Sequence, residues 1–305
     1  MIILILIAIV CAMATFFLYR FTFCLPVKKR PDPMDMSRDE NYLPFVSEII
    51  SRNEQMDTCD YEDVWISSKD GLSLHGRLYE VDKNAPLCIF FHGYHGTFYW
   101  DGYGVFETFK RMGYNILMVD ERAHGQSEGT TITFGIRESQ DVIGWTEFAK
   151  ERYGKTLKVI LAGVSMGAAS VLMASKHGYP DCVRLIISDC AFTAPREIMK
   201  SFAANVGIPV GIGYTLVRLS SGVFGGFDIE SNSALENMAN INVPVLFIWG
   251  SEDNVVPTDM GESLYGACTS PKRKLVIEGA RHSVSAMVDL KTYADTIINF
   301  VEEYI

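Results

Sequence analysis

The chain has 305 residues, 48% of them hydrophobic, and a net charge of −10, which is enough apolar material for one large core or two. The acidic balance, with no basic stripe and interleaved aromatics, argues against nucleic acid as a partner. No internal repeat or low-complexity tract is evident.

Residues 1–19 are uncharged and almost wholly apolar, about the length of a bilayer-spanning helix, and 21–27 can extend the run. No positive segment precedes it and no A-x-A site follows, so an uncleaved transmembrane anchor is expected over 1–27. Arg20, Lys28, Lys29 and Arg30 all lie beyond the span, which predicts a single-pass protein whose body faces the cytoplasm. Scattered cysteines without C-x-x-C spacing suit reduced thiols. Residues 28–56, with Pro31, Pro33, Pro44 and many charges, read as a linker with a short helix near 45–52. The globular body is expected over 57–305, able to fold without the anchor.

Alternating residues over 61–67 and 72–80, joined by Ser68-Lys69-Asp70-Gly71, predict a hairpin. Short apolar runs then recur at 87–91, 114–119, 157–162, 183–188, 245–249 and 274–277, generally separated by helix-length segments. Strands alternating with helices predict a mostly parallel, eight-stranded α/β sheet covered on both faces.

The stretch LKVILAGVSMGAASVLMASK over 157–176 reads as strand, sharp turn, helix, with Ser165 at the corner. Gly163 and Gly167 flank it two residues either way, where a side chain would collide with the neighbouring strand or helix. The helix N-terminus then lies beside the serine, and the backbone N–H of Met166 can donate to an oxyanion formed when Ser165 attacks a carbonyl. A serine hydroxyl needs a base near neutral pKa and a carboxylate to orient that base. His282, between the last strand and a terminal helix expected over 289–304, stands in the right place for the base. Asp253 follows the 245–249 strand directly and is favoured as the acid over Glu252 and Asp189. Two short amphipathic helices broken at Gly207-Ile208-Pro209 are expected to form a lid over about 193–231, rich in apolar residues and suited to an acyl or aromatic pocket. No H-E-x-x-H or carboxylate cluster suggests a metal, and no G-x-G-x-x-G suggests a dinucleotide, so no cofactor is expected.

Four segments resemble those of the α/β-hydrolases, and within them the serine-aminopeptidase-like and monoglyceride-lipase-like branch. They are His92-Gly93-Tyr94-His95-Gly96, Asp120-Glu121-Arg122-Ala123-His124-Gly125-Gln126-Ser127, the turn at Ser165, and the pair of loops carrying Asp253 and His282. The resemblance implies an α/β-hydrolase fold, a Ser165-Asp253-His282 triad, and the Tyr94 N–H as second oxyanion donor beside that of Met166. His92 and Gly93 are expected to brace that loop. Ala123 stands where glycine is usual, and Val164 replaces the commoner His, aromatic or Leu. The expected activity is hydrolysis of a small ester or acyl substrate through an acyl-enzyme. A serine aminopeptidase or amidase is the alternative, and a catalytically silent binding module a third.

Overall fold

The computed structural model describes residues 2–25, 40–205, 207 and 209–305. Eight strands form one sheet: β1 (Glu62–Ser67), β2 (Ser73–Tyr79), β3 (Leu87–Phe91), β4 (Asn115–Val119), β5 (Val159–Val164), β6 (Val183–Asp189), β7 (Val245–Gly250) and β8 (Lys272–Ile277). Their order is β1-β2-β4-β3-β5-β6-β7-β8. The hairpin enters antiparallel, β2 pairs antiparallel with β4, and every later pairing is parallel. Every residue of β3, β4, β5 and β7 is buried, which is why these strands are continuous apolar runs rather than alternating ones. The edge strand β8 carries Lys272, Arg273 and Lys274, charges that discourage pairing with a further strand.

The helices are α1 (Ile2–Phe23), α2 (Val46–Asp57), α3 (Phe98–Asp101), α4 (Tyr103–Arg111), α5 (Glu138–Tyr153), α6 (Met166–Met173), α7 (Pro195–Asn205), α8 (Val210–Ser220), α9 (Thr258–Ala267), α10 (Ser285–Val288) and α11 (Leu290–Tyr304). Helix α4 packs on α11 and α5 on α6, so helices cover both faces. The parallel register aligns Val164 with Asp189, Asp189 with Ile248, and Gly250 with Ile277. The loops leaving β5, β6, β7 and β8 therefore open on one rim, where ligands of such sheets bind.

The loop after β4 is held by ion pairs. Arg122 Nε donates to Asp141 Oδ2 at 2.6 Å and its Nη1 to Asp70 Oδ2 at 2.9 Å. Asp120 accepts from the Gln126 N–H at 2.9 Å and is bonded to the His75 ring at 2.7 Å. Ala123, where glycine is usual, has a φ of 67°; the loop keeps its left-handed turn at a cost of roughly 1–2 kcal/mol.

The N-terminus departs from expectation. Among the described residues no helix is long and apolar enough to cross a membrane, and the second half of α1 packs on the body instead of leaving it. Phe23 is fully buried, edge-on to Phe134 at 5.9 Å and to Phe227 at 5.2 Å. Tyr19 Oη hydrogen-bonds Thr131 Oγ1 at 2.8 Å. Past the helix end, the Leu25 N–H donates to Thr130 O at 2.9 Å, and the Ile132 N–H donates to Phe23 O at 2.8 Å. An apolar helix has this composition whether lipid or protein covers a given side, so the sequence alone reads as a span. The transmembrane helix expected over 1–27 finds no support among the described residues, where α1 instead docks on the lid and on residues 130–134.

Of the linker expected over 28–56, residues 26–39 lie outside the described residues. Beyond them Tyr42 is buried, and α2 buries Ile49, Asn53 and Met56. In the lid, α7 and α8 flank the expected break at 207–209, with 206 and 208 outside the described residues, and a π-helical turn, Ser221–Gly225, follows.

Candidate active site

Ser165 sits between β5 and α6 with φ 54° and ψ −115°, a conformation an L-residue holds only when its surroundings enforce it. The glycines explain how. A Cβ on Gly163 would lie 2.6 Å from Ala168 N, and one on Gly167 would lie 2.1 Å from Phe91 O. Backbone packs against backbone on both sides of the turn, and neither position has room for a side chain. The Ser165 N–H donates to Asp189 O at 2.8 Å, tying the turn to the end of β6.

The hydroxyl so presented meets a base. Ser165 Oγ lies 2.8 Å from His282 Nε2, and His282 Nδ1 lies 2.8 Å from Asp253 Oδ2. A carboxylate opposite Nδ1 fixes the proton there and leaves Nε2 to accept from the serine. Asp253 is itself positioned: its Oδ1 accepts from the Val255 N–H at 2.9 Å and the Val256 N–H at 2.8 Å, and its side chain is 1% exposed. Glu252, beside it, is exposed. Asp189 is buried and its Oδ1 accepts from Ser285 Oγ at 3.3 Å. Of the three carboxylates weighed from the sequence, only Asp253 hydrogen-bonds His282 among the described residues.

Opposite the serine, the 92–96 loop presents its N–H groups. A Cβ on Gly93 would lie 3.3 Å from Ser165 Cβ, so glycine lets the loop approach. The Gly93 N–H donates to Asp101 Oδ2 at 2.6 Å, the His95 N–H to His124 Nε2 at 3.1 Å, and the Gly96 N–H to Gly93 O at 3.1 Å. Among the described residues the Tyr94 N–H has no partner. The Met166 N–H occupies the first position of α6, where a helix offers no carbonyl of its own. His92 is a brace: Nδ1–H donates to Gly93 O at 2.8 Å, and Nε2 accepts from the Glu121 N–H at 3.0 Å. Burial lowers its pKa, consistent with a neutral ring that has one donor and one acceptor.

Three groups were not singled out from the sequence. Asp101 anchors Gly93 and in turn accepts from Tyr42 Oη, reaching back into the segment read as linker. His124 holds His95. Cys190, with φ 46°, joins Asp253 and His282 in a cluster whose possible metal-ligating atoms lie within 4.8 Å of one another. Both ring nitrogens of His282 are already engaged by Ser165 and Asp253, so the cluster reads as a hydrogen-bonded chain with a thiol beside it. A lone acid in an aromatic run, Phe98-Tyr99-Trp100-Asp101, was the one signal available for Asp101.

Solved structures share this architecture. An esterase of Pyrococcus furiosus superposes with a TM-score of 0.65 at 22% identity, over 82% of this chain and 95% of that one. Est1E of Butyrivibrio proteoclasticus, solved with ferulic acid, gives 0.60 at 18% identity over 78% and 99%. The family model described as serine aminopeptidase, S33, matches residues 82–211, and that described as serine hydrolase (FSH1) matches 162–291. The chain has the α/β-hydrolase fold. Among curated proteins this chain is 27% identical to the uncharacterized protein YqkD of Bacillus subtilis over 195 residues, 64% of each chain. It is 26% identical over 261 residues to the α/β-hydrolase domain-containing protein WAV2 of Arabidopsis thaliana, covering 80% of this chain and 79% of that one.

Burial by itself would lower the pKa of His282, but Cys190 and Asp253 beside it raise the pKa well above the ordinary value of 6.5. Burial pushes the Cys190 thiol up as well, while the Asp253 carboxylate favours the imidazolium by hydrogen bond and charge. The imidazole is therefore free to accept a proton only above that raised pKa. In an NMR titration the His282 ring should show a midpoint above 6.5, falling in Asp253→Asn because one of the two groups that oppose burial is then lost. A wild-type midpoint below 6.5 would contradict this electrostatic account.

Proposed function

We propose that this α/β-hydrolase is a serine hydrolase that cleaves carboxylic esters through an acyl-enzyme, with Ser165 as nucleophile, His282 as base and then acid, and Asp253 as its orienter. The observation that carries the reading is the unbroken hydrogen-bonded chain from Ser165 Oγ through His282 to Asp253. Ser165 Oγ gives its proton to His282 Nε2 as it bonds to the ester carbon, and the carbonyl oxygen takes the negative charge. The N–H groups of Tyr94 and Met166 face that charge, where preorganised donors contribute most. His282 then protonates the departing alkoxide, leaving the acyl group on Ser165. Water, deprotonated by the same imidazole, repeats the sequence and releases the acid and the free serine.

The match to a serine aminopeptidase family keeps amide cleavage as a second reading. Recognition of a substrate amine calls for a carboxylate near the reacting carbonyl, and no Asp or Glu is among the described residues of the apolar cavity bordering Tyr94. Esters are therefore the favoured substrates. Ser165→Ala should lower kcat on a p-nitrophenyl ester by about 10⁶ and Asp253→Asn by roughly 10⁴, with Glu252→Gln near wild type. Retention of a tenth of the rate in Ser165→Ala, or faster turnover of aminoacyl amides than of esters, would overturn the assignment.

We further infer that the protein works at a membrane surface, on its cytoplasmic side. Support comes from an apolar face shared by α1 and the lid: Ile9, Val10, Met13, Phe17 and Phe21 are exposed on α1, and Ile212, Leu219 and Val223 on the lid. Contiguous exposed apolar surface of this kind suits a bilayer interface, and the basic residues follow the apolar run. The full chain should float with phosphatidylcholine–phosphatidylglycerol liposomes, and Phe21→Glu combined with Leu219→Glu should leave it in the dense fraction. Wild type that stays with the dense fraction, or cleavage of the body by protease added to intact cells, would contradict this location.

A further inference from the structure

A cavity of about 700 Å³ lies between α1, the 92–96 loop and the lid, within the ~300–1,000 Å³ range of small-molecule sites. Ala14, Leu18 and Phe21 of α1 form one wall, and Ala203 of α7 with Leu216 of α8 the facing one. Tyr94 lines this space one residue beyond the glycine that approaches the serine. Its backbone follows Gly93, which approaches Ser165, while its ring lines the cavity and its Oη donates to Thr22 O on α1 at 3.0 Å.

The polarity of the cavity is graded. Its α1 and lid walls are aliphatic and aromatic, whereas at the Tyr94 end the ring of His95 contributes a buried Nε2 with no hydrogen-bond partner among the described residues. Burial lowers the His95 pKa to about 4, so the ring is neutral and does not call for an anion. A ligand with one uncharged polar end toward Tyr94 and His95 and a long apolar tail fits these walls.

We propose that this cavity holds the acyl chain of a long-chain carboxylic ester and that α1 is one wall of it, so that the N-terminal helix is a substrate-binding element as well as a membrane contact. The proposal rests on the ester-hydrolase reading above and adds to it the substrate class and the part played by α1. Without the helix, the lid face of the cavity and Phe134 stand open to water, and the tail loses the surface against which it is buried. Each methylene taken out of water favours the bound state by about fourfold, so selectivity for chain length should be steep until the cavity is full.

The test reads a ratio, which does not depend on how much of a variant folds. With full-length protein, kcat/KM is measured on p-nitrophenyl esters from acetate to dodecanoate. Wild type should prefer dodecanoate, and Leu18→Trp on α1 and Ala203→Trp on the lid should each lower the dodecanoate-to-acetate ratio at least tenfold by filling the cavity. Val81→Trp, on an exposed loop residue far from these walls, should leave the ratio within twofold. If wild type turns over esters but Leu18→Trp keeps the wild-type ratio, α1 is no wall of the acyl site and the inference fails alone. If no ester of any length is turned over, the ester-hydrolase reading fails and takes this one with it.

Discussion

The constraint on which the site depends is the contact of bare backbone across the β5–α6 turn. Gly167 lies against the Phe91 carbonyl of β3, and Gly163 against the first turn of α6, so the chain reverses in too little space for side chains. That compression holds Ser165 at φ 54° and points its hydroxyl off the rim of the sheet. Everything else is brought to that hydroxyl by parallel register: β6, β7 and β8 end level with β5, and the loops that follow β7 and β8 deliver Asp253 and His282 to hydrogen-bonding distance. Helix α6 starts at the same point, so Ser165 and Met166, the proposed nucleophile and one proposed oxyanion donor, are adjacent residues.

The opposite side of the site is organised by bookkeeping of N–H groups. Asp101, His124 and the Gly93 carbonyl take the N–H groups of Gly93, His95 and Gly96, and His92 clamps this loop to the one after β4. The Tyr94 N–H is what remains without a partner among the described residues. Because Asp101 accepts from Tyr42 and Tyr94 Oη donates to α1, the geometry of this donor depends on segments far upstream. Tyr42 and Thr22 thus touch the loop beside the site, although the proposed nucleophile, base and acid all lie downstream of them.

What could be read from the sequence follows from where its signals are local. Buried parallel strands are continuous apolar runs, and the eight proposed runs fall within two residues of the observed strand boundaries at every end. Ser165 and its glycines form a five-residue pattern, and Asp253 and His282 each follow a strand. The α1 docking had no local signature, since Phe16, Tyr19 and Phe23 look the same facing Phe224, Phe227 or lipid. Asp101 and Tyr42 were invisible for a related reason: their bond spans 59 residues, and neither stands in a motif. Ala123 illustrates the converse, a departure from the usual glycine that the loop absorbs through the Arg122 and Asp120 contacts around it.

The central claim is that the hydroxyl of Ser165 is an activated nucleophile in the folded protein. Labelling the full chain with a fluorophosphonate, followed by peptide mapping by mass spectrometry, tests it most directly. The account predicts a single adduct on the peptide containing Ser165, formed faster as pH rises through the His282 midpoint and abolished by heat unfolding. Folded protein that takes up no label, or an adduct on another residue with Ser165 unmodified, would contradict it.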